Sequence, residues 1–180
     1  RRRCAAPMAD QREIDARLRA LDGTPQLARL GANATLGVSV AVCRAAASAQ
    51  GLALYERIGE LAGRKPLLPL PMTNILSGGL HAGRGMDVQD VLAVPTRAAT
   101  MAEAIHVMAR VRTAAADVMR DRGLSTLLAD EGGLSPGCDS ASAALRLMVE
   151  SIEHAGLRPG EDVSIAIDVA AASLQRADGL

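Results

Sequence analysis

The stretch at residues 64–71 constrains the fold more than any other feature, because no helix can run through it. Three prolines within it fix φ and lack a backbone N–H. The hydrophobic pattern also changes here, since helical periods precede the stretch and short apolar runs alternate with helical periods after it. We therefore predict a domain boundary, with residues 1–65 in one unit and residues 66–180 in the next.

The first unit has the pattern of consecutive helices. Asp10 and Glu13 have the spacing of a capping box, and the helix that they begin is expected to end near Gly23. Residues 33–50 predict a second helix that is apolar around most of its circumference, so we expect it to be buried. A short third helix is expected over residues 54–61.

The second unit alternates strand and helix patterns, which predicts an α/β fold. Strands are expected at residues 72–76, 88–94, 124–129 and 163–169, and helices at residues 100–123 and 139–155. The last helix should point Leu145, Met148, Val149 and Ile152 inward. Periodicity alone leaves open whether the strands form an open doubly wound sheet or part of a barrel.

The composition argues against several classes of function. The 180 residues are 49% hydrophobic, enough to bury a core. A formal net charge of zero and a single aromatic residue, Tyr55, argue against nucleic acid as a partner. The longest strongly apolar stretch, residues 34–43, is too short to span a bilayer, so we expect no membrane partner. With no secretory signal visible, a cytoplasmic location is expected by default.

Acidic residues near predicted strand ends are the first candidates for a site. Asp168 ends an apolar strand, Glu131 follows another within the turn at residues 130–133, and Gln89 and Asp90 interrupt a third. Hard divalent cations prefer oxygen ligands, and barrel enzymes build their sites at the carboxyl ends of strands. A capping role for Asp168 and an acidic surface turn around Glu131 remain the alternative explanations.

A glycine-rich loop at residues 77–83 carries His81. It could close over a phosphorylated ligand, but it lacks the spacing of the known phosphate-binding loops, and a surface loop is the alternative. Lys65 is the only lysine, so a lysine base within these residues could only be Lys65.

Several stretches, in the same order and spacing, resemble the enolase family from about Met8 onward. The stretch LDGT…GANATLGVS at residues 21–39 is similar to LDGT…GANAILGVS of enolases. PMTNILSGGLHAG at residues 71–83 resembles PMFNVINGGSHAG, DEGGLSP at residues 130–136 resembles DEGGFAP, and IDVA at residues 167–170 resembles the start of LDVAAS.

The resemblance implies a fold: part of an enolase-type α/β (TIM-like) barrel with an antiparallel start, preceded by a helical remnant of the N-terminal α+β domain. It also implies a lyase of glycolysis, phosphopyruvate hydratase, which uses Mg²⁺ to dehydrate 2-phosphoglycerate to phosphoenolpyruvate. The partner would be a small phosphorylated or phosphonylated three-carbon acid, and the full-length protein would be a homodimer.

The resemblance assigns roles to five residues by position. Asp168 would be a magnesium ligand, and Glu131 would be the catalytic acid that helps hydroxide leave. His81 would bind substrate, Asp90 would replace the second catalytic glutamate, and Gln89 would lie beside it at the substrate. Because the lid loop, the other two metal ligands and the catalytic lysine have no counterparts here, the 180 residues alone are expected to be inactive.

Substitutions around these residues keep two alternatives open. Asp90 is one methylene shorter than the glutamate of the family, and aliphatic or hydroxyl residues stand where enolases have phenylalanine: Thr73, Val91, Leu134 and Leu174. One alternative is an enolase-related enzyme of phosphonate biosynthesis that resembles carboxyphosphonoenolpyruvate synthase. The other is a non-catalytic paralogue or fragment that only binds partners.

Overall fold

The structure is a computed structural model that describes residues 10–83 and 85–175, which fall into two compact units dividing between Leu68 and Pro69. The arginines at positions 1–3 and Met8 lie outside the described residues. The elements of the first unit are α1 (Gln11–Asp22), α2 (Ala32–Gln50) and α3 (Leu54–Ala62). Those of the second are β1 (Thr73–Ser77), β2 (Asp90–Val94), α4 (Met101–Asp121), α5 (Ala141–His154) and β3 (Ser164–Asp168), with short 3-10 turns at Leu80–Ala82 and Ala171–Leu174.

Local capping determines where α1 begins and ends. The Asp10 carboxylate accepts hydrogen bonds from the backbone N–H groups of Arg12 at 2.9 Å and Glu13 at 3.4 Å. Gly23 ends the helix with φ of 73°, a left-handed conformation that glycine adopts without steric cost. The predicted bounds of this helix are confirmed because each signal acts within a few residues.

A buried carboxylate, Asp22, organises the loop after α1. It accepts hydrogen bonds from the backbone N–H groups of Thr24 at 3.1 Å, Arg29 at 3.1 Å and Leu30 at 2.6 Å. The Thr24 hydroxyl and the Leu30 N–H lower the pKa of Asp22, since they stabilise its charged form. Asp22 therefore holds residues 24–30 against the end of α1.

The expectation that α2 is buried is wrong. Within this helix only Thr35, Cys43 and Ala47 are buried, and Leu36 is 62% exposed. Helices α1 and α3 pack on α2 and leave much of its apolar surface uncovered, because composition shows that a helix could be buried but not which surfaces surround it. No single helix in the described part of the chain is long and apolar enough to cross a membrane, although α2 and α3 pass that test together with a 102° bend between them.

The described strands form one sheet in the order β1-β2-β3, and both neighbouring pairs are antiparallel. The carboxyl ends of β1 and β3 therefore lie at the same edge as the start of β2. Ser77, Asp90 and Asp168 are partners in register at that edge, which we call the rim. The chain order of strand, strand, helix, helix, strand confirms the predicted α/β class.

Helices α4 and α5 pack on each other and on the sheet, and the core lies between them. Thr100 begins α4 as predicted, because its hydroxyl accepts from the Glu103 N–H at 3.1 Å while the Glu103 carboxylate accepts from the Ala99 N–H at 2.8 Å. The largest fully buried aliphatic and methionine side chains come from β1, β2, α4, α5 and the connecting segments: Ile75, Leu76, Val91, Val111, Met119, Leu134, Leu147, Met148, Ile152 and Val163.

The inward face of α5 differs partly from the prediction. Met148 and Ile152 are buried as expected, but Val149 is 36% exposed and Leu147 is fully buried instead. The true inward stripe includes Ser151, whose hydroxyl donates to the Leu147 carbonyl at 2.6 Å. A polar residue on the buried side, satisfied within the helix, hid the position of that stripe in the sequence.

The strand predicted at residues 124–129 is wrong, because this segment pairs only at isolated points. Leu128 makes a single antiparallel bridge with Leu134, the Ala129 N–H donates to the Gly133 carbonyl at 2.9 Å, and the Ser135 N–H donates to the Leu127 carbonyl at 2.8 Å. An apolar run forms a strand only when a neighbour completes its hydrogen bonds, and here the chain folds back on itself instead.

The Arg158–Asp162 ion pair in the loop before β3 should make the stability of the fold depend on pH. Hydrogen bonds from the Arg158 guanidinium hold the pKa of Asp162 well below its usual range. A lowered folded-state pKa stabilises the fold above the unfolded pKa of about 4, and this stabilisation is lost as the pH falls toward the folded value. In the full-length protein, we expect Asp162→Asn to lower Tm near neutral pH and to flatten the fall of Tm below about pH 4.

A matched control is Glu153→Gln, which removes an exposed carboxylate from α5 in the same unit. Thermal melts of both variants and of the wild type across the acid range would measure the difference. Parallel curves for Asp162→Asn and wild type would contradict the assignment.

Candidate active site

Two of the acids singled out in the sequence meet at the rim. Asp90, at the start of β2, is the register partner of Asp168, at the end of β3. The Gln89 N–H extends this pairing by donating to the Asp168 carbonyl at 3.0 Å. Barrel enzymes place their chemistry at the carboxyl ends of strands, and the rim is that edge for β1 and β3.

Asp168 is exposed and its backbone leads into a tight turn. Its Oδ1 accepts from the Ala170 N–H at 2.9 Å. Ala170 has φ of 47° and ψ of 50°, a left-handed conformation that is uncommon for a residue with a side chain. Such strain is typical of functional segments, and the turn presents the Asp168 carboxylate at the surface of the rim.

Asp90 differs from Asp168, because it is only 4% exposed and its carboxylate is occupied by neighbours. Oδ1 accepts from the Asn74 side-chain amide and, at 3.1 Å, from the Ser77 hydroxyl. Oδ2 lies 3.3 Å from the Gln89 Nε2. The carboxylate is therefore held within the β1–β2 pair rather than presented at the surface.

Sequence reasoning missed Asn74 and Ser77 as parts of the site. They lie three residues apart in β1, so regular alternation would place their side chains on opposite faces of the sheet. The pairing of β1 with β2 is irregular between Asn74 and Leu76, and the Asn74 Nδ2 then donates to the Ser77 hydroxyl at 2.8 Å. A bulge of this kind depends on the partner strand and leaves no clear signal in the sequence.

The turn that carries Glu131 is attached to β1. The Ser77 N–H donates to the Leu134 carbonyl at 2.7 Å, and the Leu134 N–H donates to the Ile75 carbonyl at 2.8 Å. Glu131 itself is exposed. These bonds attach Leu134, three residues after Glu131, to the end of β1.

Gly133 allows this turn to approach β1 closely. A Cβ atom at Gly133 would lie 2.1 Å from the Ser77 Oγ and 2.7 Å from the Asn74 Oδ1. The Asn74 Oδ1 is buried and has no hydrogen-bond partner among the described residues. The side chains of Asn74 and Ser77 therefore occupy the space that any side chain at position 133 would need.

The glycine-rich loop lies beside Gln89. The Gly78 N–H donates to the Gln89 carbonyl at 2.7 Å, and the Gly79 N–H donates to the Met86 carbonyl at 2.8 Å. The backbone of His81 lies in the 3-10 turn Leu80–Ala82, and its side chain is outside the described part of the chain. This loop and the 3-10 turn after β3 border a cavity of about 110 Å³ lined by Gly79, Leu80, Met86, Asp87, Ser173 and Leu174.

The residues present fit only part of a magnesium site. Within residues 10–83 and 85–175, no group of three or more His, Cys, Asp or Glu side chains could hold a metal ion. Asp168 offers one exposed carboxylate, whereas the Asp90 carboxylate is buried and hydrogen-bonded. Magnesium sites use few protein carboxylates together with substrate oxygens and water, but a single carboxylate does not form one.

Comparison with known proteins identifies the family of this chain. The family model described as the enolase N-terminal domain matches residues 4–58, and that described as the enolase C-terminal TIM barrel domain matches residues 65–179. An enolase of Acidothermus cellulolyticus is 48% identical over 167 residues, covering 93% of this chain and 38% of that protein. The chain thus spans well under half the length of this curated relative. It belongs to the enolase family, and its second unit is part of an enolase-type TIM barrel.

Proposed function

We propose that the full-length protein is a phosphopyruvate hydratase that converts 2-phosphoglycerate to phosphoenolpyruvate with Mg²⁺. The observation that carries this proposal is a chain 48% identical to an enolase in which Asp168 lies at the rim and the segment that follows Glu131 is hydrogen-bonded to the end of β1. The side chains of Glu131 and Asp168 are both exposed.

Dehydration of 2-phosphoglycerate removes a proton from one carbon and hydroxide from the next. In this proposal the Glu131 carboxyl group donates a proton to the departing hydroxyl, and its exposed turn allows substrate to reach it. His81 contacts the substrate from the glycine-rich loop. Asp168 contributes one oxygen ligand to the metal, which when bound stabilises negative charge on the substrate.

The same proposal assigns the proton-abstracting base to a part of the protein outside these 180 residues. Lys65 is the only lysine, and it belongs to the first unit, whereas the rim belongs to the second. The catalytic lysine of the family has no counterpart among these 180 residues. The remaining metal ligands would also come from the parts of the protein that this chain, spanning 38% of its relative, does not include. We therefore propose that the 180 residues alone are inactive.

The phosphonate alternative rests on the substituted phenylalanine positions. Two of these residues, Val91 and Leu134, are buried in the core rather than in a pocket, and the Thr73 hydroxyl lies 2.7 Å from the Met108 sulfur. Only Leu174 lines the cavity at the rim. These substitutions mostly change core packing, which supports ordinary enolase over a reshaped substrate pocket.

The test is the formation of phosphoenolpyruvate by the purified full-length protein supplied with 2-phosphoglycerate and Mg²⁺. We expect activity that is lost when a chelator removes the metal. Should the full-length protein carry the missing ligands and lysine yet fail to act on 2-phosphoglycerate, the phosphonate alternative would replace this proposal. A full-length protein without those residues would favour the non-catalytic alternative.

A further inference from the structure

Two adjacent positions at the rim carry shorter side chains than the enolase motifs have there. Position 77 is Asn in the motif PMFNVINGGSHAG and Ser here, and position 90 is Glu in enolases and Asp here. Ser77 and Asp90 are register partners, and the Ser77 hydroxyl donates to the Asp90 Oδ1 at 3.1 Å. The two changes therefore occur at one contact.

The Asp90 carboxylate is placed to hold other groups rather than to meet a ligand. It is nearly fully buried, and it accepts hydrogen bonds from the side chains of Asn74, Ser77 and Gln89. Bonds to a charged acceptor are stronger than those between neutral groups, so this carboxylate fixes the orientation of the Asn74 amide and the Ser77 hydroxyl.

Those two side chains in turn support the turn that carries Glu131. Gly133 packs directly against the side chains of Ser77 and Asn74, which leave no room for a Cβ atom at position 133. The Ser77 N–H also donates to the Leu134 carbonyl at 2.7 Å. A chain of contacts thus runs from Asp90, through Asn74 and Ser77, to Gly133 and Leu134, the two residues at the end of the turn that carries Glu131.

We propose that Asp90 is a positioning residue that, paired with Ser77, holds the Glu131 turn in place, and that it is not a second catalytic acid. The assignment of Glu131 as the reacting group rests on the proposed function. The support of the turn by Asp90 rests only on the contacts described, so the two can fail separately.

The experiment compares Asp90→Asn with Asp90→Ala in the full-length protein. Asparagine keeps an oxygen acceptor for Asn74 and Ser77, and the Gln89 amide can turn its oxygen toward the new N–H group. Alanine leaves these buried donors unsatisfied. We expect hydrogen exchange at the Leu134 amide to accelerate about 10- to 100-fold in Asp90→Ala and less than about tenfold in Asp90→Asn.

Turnover should follow the same order. A displaced Glu131 turn should lower kcat about 100-fold in Asp90→Ala, and asparagine should restore most of that loss. Ser77→Ala should raise exchange at Leu134 less than Asp90→Ala does, because only one donor is removed. Ser151→Ala, which removes another buried hydroxyl from α5, should leave exchange at Leu134 unchanged.

Equal losses of kcat in both Asp90 variants, with Leu134 exchange unchanged, would identify Asp90 as a catalytic acid and overturn the proposal. Wild-type exchange in Asp90→Ala would also overturn it. Exchange at Leu134 can be measured whether or not the protein acts on 2-phosphoglycerate, so an inactive protein would count against the proposed function alone.

Discussion

Replacing Gly133 with alanine should destabilise the second unit by about 1–3 kcal/mol or more, because the new methyl group has no space. It would lie 2.1 Å from the Ser77 Oγ and 2.7 Å from the Asn74 Oδ1, and both side chains are held by Asp90. Either the hydrogen-bonded cluster must break or the turn must move away from β1. Thermal melts and hydrogen exchange at the Ser77 amide in the full-length protein would measure the effect.

The control for this substitution is Gly37→Ala in α2. No atom lies within 4 Å of a Cβ built at Gly37, and the residue is inside a helix with ordinary φ. Alanine there should stabilise the protein by about 0.5–1 kcal/mol. An unchanged Tm for Gly133→Ala, with unchanged hydrogen exchange at the Ser77 amide, would show that Gly133 does not pack closely against the side chains of Ser77 and Asn74.

Glu131→Gln should lower kcat of the full-length protein by about 10²- to 10⁴-fold, which is the usual contribution of a positioned general acid. Glutamine keeps the size of the side chain but cannot donate a carboxyl proton. Because Glu131 is exposed, and interactions of exposed charges contribute little, the substitution should change stability by no more than about 1 kcal/mol. Initial rates with 2-phosphoglycerate and a thermal melt of the same preparation would check both expectations.

Asp130→Asn is the matched control, since Asp130 is the adjacent exposed carboxylate on the same turn. It should retain far more activity than Glu131→Gln. If the two variants lost activity equally, the effect would be a general change of charge at the turn, and Glu131 would have no special role.

The helices that begin with local signals were predictable from the sequence. Asp10 and Thr100 cap α1 and α4 through bonds to residues two or three positions ahead, so the sequence contains the whole interaction. The same holds for Gly23 and Gly51, whose left-handed φ of 73° ends α1 and α2. Strands β1 and β3 were found to within about two residues because each is a short apolar run bounded by turn residues.

Two of the errors share one cause, which is dependence on distant neighbours. Residues 124–129 have a strand pattern but make only isolated bridges. Helix α2 has the apolar composition of a buried helix, but much of its surface is exposed. Nothing within either segment tells which surface will face it. The inward face of α5 was misplaced for a different reason, because the polar Ser151 lies on its buried side and is satisfied within the helix.

The candidate site shows the same limit. Motifs identified Glu131 and Asp168, but only the strand register brings Asp90 and Asp168 together, and only the bulge in β1 brings Asn74 to Ser77. The sequence indicated that Asp90 is shorter than the usual glutamate. It could not indicate that the carboxylate is buried and hydrogen-bonded, because its donors Asn74 and Ser77 come from the neighbouring strand.

Phosphoenolpyruvate formation from 2-phosphoglycerate with Mg²⁺, measured side by side for the 180-residue chain and the full-length protein, tests most directly whether this chain supplies one part of an enolase site. We expect activity in the full-length protein and none in the 180-residue chain, because the family's catalytic lysine has no counterpart among the 180 residues. In addition, no group of three or more His, Cys, Asp or Glu side chains among the described residues could hold a metal ion. Activity in the 180-residue chain, or its absence from a full-length protein that carries the missing lysine and ligands, would contradict this account.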